Sequence, residues 1–378
     1  MNSVRIDKQN KMVDNPKFIP ALTGIRCLSV YFIYFFHLSD SFSGKTIQLI
    51  FNQFYAFVSF LFVLSGFVIA YKYPYIKNFI KNDLKTYLWN RFSRIIPIFF
   101  ILTTFTFLIQ QLKIPAFSSE ILKVWFLNIS LLKGFSSKYI LTGIGPSWSL
   151  SVEELFYVLA PLLLASFKKN KSILIIVLIS YVIGFTITTF FIKFPFYGFF
   201  DSYIFTFHST FFGRIFEFYC GIFLAKTITF ELKENKKDSE SFIATYLGLM
   251  LLILTLLIQS YIAMTLNISH ASQSWEGVFV NNIILPISIT IFFYGVITQK
   301  TIIQKILAFK LLVELGHSTY SFYLLHTSFI LSIVIKVFGF NIFLNFITLI
   351  IISYIFYRTI EQPIAIFLRK KISKYSSS

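Results

Sequence analysis

The chain has 378 residues, of which 56% are hydrophobic and 13% are charged, and its formal net charge is +18. Soluble globular proteins carry about twice that share of charged residues, so the composition excludes a soluble multidomain protein and indicates a polytopic membrane protein. A net charge of this size would also fit a protein that binds nucleic acid. The positions of the basic residues decide between the two.

Apolar runs long enough to cross ~30 Å of hydrocarbon, about 20 residues each, recur along the whole chain. Residues 114–147 are too polar and too short in apolar length for a span, and we predict a re-entrant or interfacial segment there. We therefore predict an all-α polytopic membrane protein with about ten transmembrane helices. The runs cover approximately residues 18–40, 48–71, 95–112, 148–167, 172–192, 202–225, 242–265, 278–298, 311–335 and 338–357.

The basic residues follow the topology that ten spans would impose. With the N-terminus inside, 25 of the 34 Lys and Arg residues fall in inner segments and seven in outer segments. This bias follows the positive-inside rule, so we expect both termini in the cytoplasm and no nucleic-acid partner. The predicted organisation is a cytoplasmic N-terminal segment at 1–17, a transmembrane domain at 18–366 and a basic cytoplasmic tail at 367–378. The first apolar run lacks a small-residue cleavage site, which predicts an uncleaved first helix.

The first apolar run contains the stretch RCLSVYFIYFFH, which begins with Arg26 and ends with His37. A charge at the centre of a bilayer costs about 2.5–3.5 kcal/mol, so such residues face a protein or water interior and usually mark function. In an α-helix, this spacing leaves the two side chains about 20° apart in direction and ~16 Å apart along the axis. The two residues therefore share one helix face at two depths. A snorkelling arginine and an interfacial histidine are the alternative reading.

The fourth predicted span opens with GPSWSLSVEELFY, residues 145–157. Ser149 or Ser151 could cap a helix whose first turn carries Glu153 and Glu154, as a helix N-terminus prefers. Adjacent carboxylates point about 100° apart in a helix, so at least one is expected to enter the bundle and to need a basic partner. A capped helix start without further function is the alternative.

Other ionisable residues inside spans have weaker functional claims. Arg214 and Glu217 are spaced i, i+3 and predict a structural ion pair on one helix face. His326 lies in the ninth predicted span near Tyr320 and Ser321. A hydrogen-bonded core histidine is the alternative to a catalytic one there.

Two further motifs lie at the inner ends of spans. Arg91 and Arg94 precede the third span, where they fit either topology anchors or a ligand rich in phosphate, which guanidinium groups bind in a bidentate manner. The tenth span is followed by Arg358, Glu361 and Pro363, and we expect the proline to stop the helix.

Several function classes lack their motifs. The sequence contains no Walker loop, dinucleotide-binding glycine motif, HExxH or nucleophile elbow, and its five histidines show no metal-binding spacing. Cys27 and Cys220 both lie in apolar runs and offer neither a disulfide framework nor a metal site. Coupling to ATP and zinc-dependent hydrolysis are therefore not supported.

Taken together, these motifs resemble the acyltransferase 3 family of bacterial integral-membrane O-acyltransferases, over about residues 18–366. Arg26 and His37 match the family's arginine, ten residues and histidine in the first helix, and Arg91 and Arg94 match its arginine-x-x-arginine before the third. Glu153 occupies the acidic position of the fourth-helix motif. The other similar stretches are FIPALTGIR, WSLSVEELFY, YSFYLLH and IEQP.

The resemblance implies transfer of an acyl group, usually acetyl, from cytosolic acyl-CoA to a hydroxyl of a cell-surface or lipid-linked polysaccharide at the bacterial inner membrane. His37 would act as general base, Arg26 would contact CoA or the acyl carbonyl, and Arg91 and Arg94 would bind CoA phosphates. Glu153 would orient or charge-balance His37 or Arg26. No metal or tightly bound cofactor is implied, and acyl-CoA is the donor substrate.

Some members of the family carry an outer esterase-like domain, and we expect a stand-alone form here. Such a form either transfers the acyl group directly or relies on a separate esterase-like partner or other polysaccharide-assembly proteins. A transporter or flippase of lipid-linked sugars, with Arg26, His37 and Glu153 as a proton or substrate path, is the main alternative. A non-catalytic scaffold is a third reading, which leaves the intramembrane charges without a purpose.

Overall fold

Helices account for most of the chain in the computed structural model, which describes residues 18–73, 81–112, 119–166, 172–233 and 241–375. These residues form no β-strand, and an isolated bridge joins Ser136 to Phe199. The first nine helices are α1 (Pro20–His37), α2 (Lys45–Asn52), α3 (Phe57–Lys72), α4 (Lys81–Gln111), α5 (Ser119–Ile129), α6 (Trp148–Ser166), α7 (Ser172–Lys193), α8 (Tyr203–Ser209) and α9 (Phe211–Lys233). The remaining nine are α10 (Ile243–Thr265), α11 (Trp275–Phe279), α12 (Leu285–Thr298), α13 (Ile302–Leu307), α14 (Lys310–His317), α15 (Thr319–Leu325), α16 (Phe329–Phe338), α17 (Ile342–Phe356) and α18 (Gln362–Tyr375).

The described residues contain seven helical segments long and apolar enough to cross a membrane, or eight if the bent pair of α15 and α16 is one span. The helices α1 and α9, of 18 and 23 residues, pack into the same bundle. They carry four of the ionisable residues predicted inside spans, namely Arg26, His37, Arg214 and Glu217. Helices thus exist for each of the predicted spans, and the all-α polytopic membrane fold is confirmed. The cytoplasmic location of the termini stays a prediction.

The N-terminus of α1 and the C-terminus of α18 lie on the same side of the bundle. Phe18, just before α1, stacks on His317 at the end of α14, and Trp89 near the start of α4 donates a hydrogen bond to the Leu368 carbonyl of α18 (3.0 Å). We call this the terminal end. The other end carries the C-terminal part of α1, where the Tyr34 hydroxyl donates to the Ile342 carbonyl (2.9 Å), and we call it the opposite end.

Glycines allow α3 and α9 to pack closely at the centre of the bundle. A Cβ atom on Gly66 would lie 2.1 Å from the Phe218 carbonyl oxygen, and one on Gly221 would lie 2.0 Å from the Val63 carbonyl oxygen. Small residues at such interfaces let two membrane helices approach backbone to backbone. This contact fixes α3 beside α9 and positions one wall of the cavity described below.

The predicted Arg214–Glu217 ion pair is confirmed within the same interface. Arg214 Nη1 lies 2.7 Å from Glu217 Oε1, and both side chains are fully buried. The Ser59 hydroxyl of α3 donates to the same carboxylate oxygen (2.9 Å). The pair therefore joins α9 to α3 by charge-assisted hydrogen bonds in a medium that makes an unpaired charge costly.

Residues 119–147 do not form a span. The helix before them, α4, ends at the opposite end, and α6 begins there, while α5 has 11 residues and covers only ~16 Å. Lys133 is fully buried in this segment, and its ammonium donates hydrogen bonds to the carbonyls of Thr142 (2.7 Å) and Ile144 (2.8 Å). Burial lowers the pKa of Lys133 to about 7. The prediction of a non-crossing segment thus agrees with the structure from residue 119 onward; residues 113–118 lie outside the described ranges.

The start of α6 differs from the prediction. The helix begins at Trp148 after a 3₁₀ turn at Gly145–Ser147, with Pro146 in its first positions. Ser149 and Ser151 therefore lie inside the helix instead of capping it, and the first turn contains no acidic residue. The reason is that the fixed φ angle of proline already suits the start of a helix, so helical backbone begins before the serines.

The ninth predicted span is not continuous. It is divided among α14, α15 and α16, and α15 meets α16 at 77°. The Ser328 hydroxyl accepts a hydrogen bond from the Ile330 amide (3.2 Å) and caps α16. Such serine side chains compete with the helical backbone for hydrogen bonds, which favours a break here.

The expectation that Pro363 stops the tenth helix is wrong. The chain passes from α17 through a π-helical turn at Tyr357–Glu361 into α18, which continues to Tyr375. Pro363 lies in the first turn of α18, where its missing N–H donor is tolerated because the wider π turn interrupts the regular hydrogen-bond ladder. The proline therefore marks a change of helix type.

We expect Glu217→Leu to destabilise the protein by about 3–5 kcal/mol because it leaves the Arg214 charge buried without its partner. The double variant Arg214→Met, Glu217→Leu should recover most of this loss, since no uncompensated charge remains. Unfolding of both variants in detergent micelles measures the difference. Equal destabilisation by the single and double substitutions would contradict a charge-based role for the pair.

Candidate active site

A cavity lies inside the bundle where α1, α3, α4, α6 and α15 meet. Its volume is about 120 Å³, and it is partly open to the surface. Three arginines line it, Arg26 from α1 and Arg91 and Arg94 from α4, and we call it the arginine cavity. The structure therefore brings together residues that the sequence placed in two separate motifs.

The three guanidinium groups make no salt bridge within the described residues. In that part of the chain, Arg91 Nε and Nη2 are buried without a hydrogen-bond partner, and the Arg91 guanidinium lies 5.2 Å from the Tyr157 ring centroid. Glu153 is the acidic residue that lines the cavity. Buried charge without a partner is costly, so three neighbouring cations facing one carboxylate indicate a site for a polyanion.

Glu153 is held in place by two hydroxyl groups. Its Oε1 atom accepts a hydrogen bond from the Ser65 hydroxyl of α3 (2.6 Å) and a short one from the Tyr157 hydroxyl one turn further along α6. Glu154 is buried as well, and neither of its carboxyl oxygens has a hydrogen-bond partner within the described residues. The prediction that at least one of the two carboxylates enters the bundle therefore agrees with the structure, and Glu153 is the one in the cavity.

His37 and His326 lie side by side beyond the cavity, toward the opposite end. Their ring centroids are 5.4 Å apart, and we call them the histidine pair. His37 ends α1 and is exposed, whereas His326 follows α15 and is buried. His326 Nδ1 lies 3.2 Å from the Phe322 carbonyl oxygen, and a carbonyl can only accept, so Nδ1 carries the proton. His326 Nε2, which has no partner within the described residues, is then the nitrogen with a free lone pair.

One aromatic ring separates the two groups of residues. Tyr323 lines the arginine cavity, and its ring centroid is 5.7 Å from that of His326. Arg26 and His37 thus lie on one helix as predicted, but only Arg26 lines the cavity. The helical path that joins them runs past the Tyr323 ring.

Three further predicted residues support the cavity wall. Tyr320 lines the cavity and donates a hydrogen bond to the Ile95 carbonyl of α4 (2.7 Å). The neighbouring Ser321 hydroxyl donates to Glu361 Oε2 in the π turn (2.5 Å). Ser321 and Glu361 therefore do not line the cavity but connect α15 to the end of α17, which fixes Tyr320.

The remaining candidates lie elsewhere. Ser151 donates to the Leu131 carbonyl (2.6 Å) and ties α6 to the segment before it. Arg214 and Glu217 are occupied by their mutual ion pair. Across the described ranges, no three His, Cys, Asp or Glu side chains lie close enough to hold a metal ion.

Sequence reasoning missed four residues that shape the site, namely Ser65, Ser149, Tyr157 and Tyr323. Tyr157 carried a usable signal, because it follows Glu153 by one helical turn and such residues face each other. Ser149 precedes Glu153 by one turn on the same helix and was considered only as a cap. Ser65 and Tyr323 reach the site from other helices, whose neighbours in space are set only by the folded bundle.

A family model described as an acyltransferase domain matches residues 19–358. This range covers nearly the whole chain and contains every residue that lines the arginine cavity. No curated protein and no solved structure matches the chain.

We expect Arg94→Gln to raise the thermal stability of the ligand-free protein by about 1 kcal/mol, because it removes one of three like charges that a site for an anion holds together. Pyrophosphate should stabilise the unsubstituted protein and stabilise the variant much less. Thermal unfolding with and without pyrophosphate measures both effects.

Lys85→Gln is the matched control, since it removes one positive charge from an exposed position on the same helix. Equal protection of Arg94→Gln and Lys85→Gln by pyrophosphate would contradict an anion site at the three arginines.

Proposed function

Because the chain belongs to the acyltransferase 3 family, we propose that this membrane acyltransferase moves an acyl group from acyl-CoA to a hydroxyl of a cell-surface or lipid-linked polysaccharide. The observation that carries the proposal is the arginine cavity, with three guanidinium groups that lack anionic partners within the described residues. The proposed location is the bacterial inner membrane, with the terminal end in the cytosol, as the distribution of basic residues favours.

The donor half of the proposal follows from charge. Coenzyme A carries a diphosphate and a ribose phosphate, and guanidinium groups bind phosphate oxygens in a bidentate manner. Arg91 and Arg94 lie near the start of α4, at the terminal end, and would hold the phosphates. Arg26 faces the same cavity from α1 and would lie further along the donor, toward the thioester.

The catalytic half rests on the histidine pair. His37 would take the proton of the acceptor hydroxyl as the oxygen attacks the thioester carbonyl, since a neutral imidazole offers a nitrogen lone pair to that proton. The new C–O bond forms, the C–S bond breaks, and the CoA thiolate leaves and takes up a proton. Arg26 would stabilise the negative charge that develops on the carbonyl oxygen.

The two other polar groups would support these roles. His326 would position the His37 ring, and its own orientation is fixed by the bond to the Phe322 carbonyl. Glu153 shares the cavity with Arg26 and would balance its charge, which favours the arginine over His37 as the partner of this carboxylate.

The proposed approach of the acceptor rests on the exposure of His37. His37 is exposed at the opposite end, which would face outward in the proposed orientation. A hydroxyl of an exported or lipid-linked glycan could reach the imidazole there without crossing the bundle. Donor and acceptor would then arrive from the two sides of the membrane.

The proposal predicts that purified protein in vesicles transfers label from radiolabelled acetyl-CoA into envelope saccharide. His37→Ala should lower the rate by about 10²–10⁴-fold, as expected for loss of a general base, without changing insertion or thermal stability. His317→Ala is the matched control, because His317 lies at the terminal end and stacks on Phe18.

Retained transfer by His37→Ala would contradict the catalytic scheme. Movement of glycan across the vesicle membrane without covalent label would favour the transporter instead. Label that appears only after an envelope protein fraction is added would indicate that a separate partner completes the transfer.

A further inference from the structure

The arginine cavity changes chemical character from one end to the other. Toward the terminal end its walls carry the three arginines and Glu153. Toward the opposite end they are mainly apolar, with Val30 one turn beyond Arg26 on α1, Val58 near the start of α3, and Leu150 near the start of α6; the Ser149 hydroxyl there pairs with that of Tyr323. A donor bound by its phosphates at the charged end would direct its acyl group into the apolar end.

Tyr323 closes this apolar end. Its side chain lines the cavity and is only 5% exposed. On the far side of its ring lies His326, with a centroid distance of 5.7 Å. The ring therefore forms a roof over the acyl end on its α15 side. Val30 and His37 share one face of α1, seven residues apart, so the acceptor hydroxyl would approach the thioester along α1, beside the ring.

Two bonds from a different helix segment fix the roof. The Tyr323 hydroxyl donates to the Pro146 carbonyl (2.8 Å) and lies 2.6 Å from the Ser149 hydroxyl. Pro146 belongs to the 3₁₀ turn that starts α6, so the ring is held at its backbone by α15 and at its tip by α6. A ring fixed at both ends cannot move aside to admit a longer chain without breaking these bonds.

We infer that Tyr323 determines which acyl groups the enzyme accepts, by limiting the donor to short-chain acyl-CoA. The inference rests on the proposed function and specifies its donor class. Each additional methylene would have to enter a closed apolar space, where a well-packed wall excludes extra volume. In an apolar pocket, one methylene more or less changes kcat/KM by about 10- to 200-fold, and we expect differences between donors of this size.

The test compares kcat/KM for acetyl-, propionyl-, butyryl- and hexanoyl-CoA in the full-length protein. Unsubstituted protein should lose at least about 10-fold between acetyl and hexanoyl donors. Tyr323→Ala should raise the hexanoyl-to-acetyl ratio by at least about 10-fold, because it removes the roof. Tyr323→Phe keeps the ring but loses both bonds of the hydroxyl, so it should raise the ratio by less than Tyr323→Ala, which separates the bulk of the ring from its fixation.

A second substitution tests the same idea without removing the tyrosine. Val30→Leu adds one methylene to the wall below the roof and should lower propionyl relative to acetyl transfer, with little effect on acetyl. This variant keeps the inference open to contradiction if Tyr323→Ala fails to fold.

The outcomes separate the inference from the proposed function. An unchanged donor profile in Tyr323→Ala or, where that variant is unfolded, in Val30→Leu, alongside normal transfer by the unsubstituted protein, would overturn the role of Tyr323 alone. Absence of transfer and of CoA binding in the unsubstituted protein would overturn the proposed function and the inference with it.

Discussion

Three guanidinium groups without a salt bridge among the described residues, held together in one cavity of the bundle, are the constraint on which the structure of the site depends. The bundle keeps them in place through bonds that do not involve the arginines themselves. Tyr320 fixes α15 to α4 through the Ile95 carbonyl, and Trp89 fixes α4 to α18. Three neighbouring positive charges destabilise the ligand-free protein. A ligand that supplies negative charge would relieve this repulsion, and its binding would therefore stabilise the folded protein.

The Tyr323 ring divides the interior into two compartments with different chemistry. On one side lie cations suited to phosphate, and on the other lie the imidazoles of His37 and His326. A donor and an acceptor that come from opposite sides of a membrane would meet at this boundary, and a narrow boundary would limit the water that reaches the thioester. Because the Tyr323 ring also contacts His326, the residue proposed to select the donor lies next to the histidine pair.

The sequence predicted those site residues that can be recognised from their spacing within one helix or from their charge in an apolar run. Arg26, His37, Arg91, Arg94 and Glu153 were recognisable because an ionisable residue in an apolar run is costly and usually functional. The meeting of Arg26 with Arg91 and Arg94 was not predictable, since it depends on how α1 and α4 are placed around the same cavity.

Local backbone chemistry limited prediction in the same way. The break at Ser328 and the helix that continues through Pro363 depend on a side-chain cap and on a π turn. Neither leaves a periodic signal in the sequence. Tyr323 resembled any buried tyrosine until its contacts with Pro146 and His326 were known.

The most direct measurement is a structure of the protein with a non-hydrolysable acyl-CoA analogue. We expect phosphate oxygens within hydrogen-bond distance of at least two of Arg26, Arg91 and Arg94, with the acyl end beneath Tyr323. An analogue bound elsewhere, with the arginine cavity empty, would contradict it.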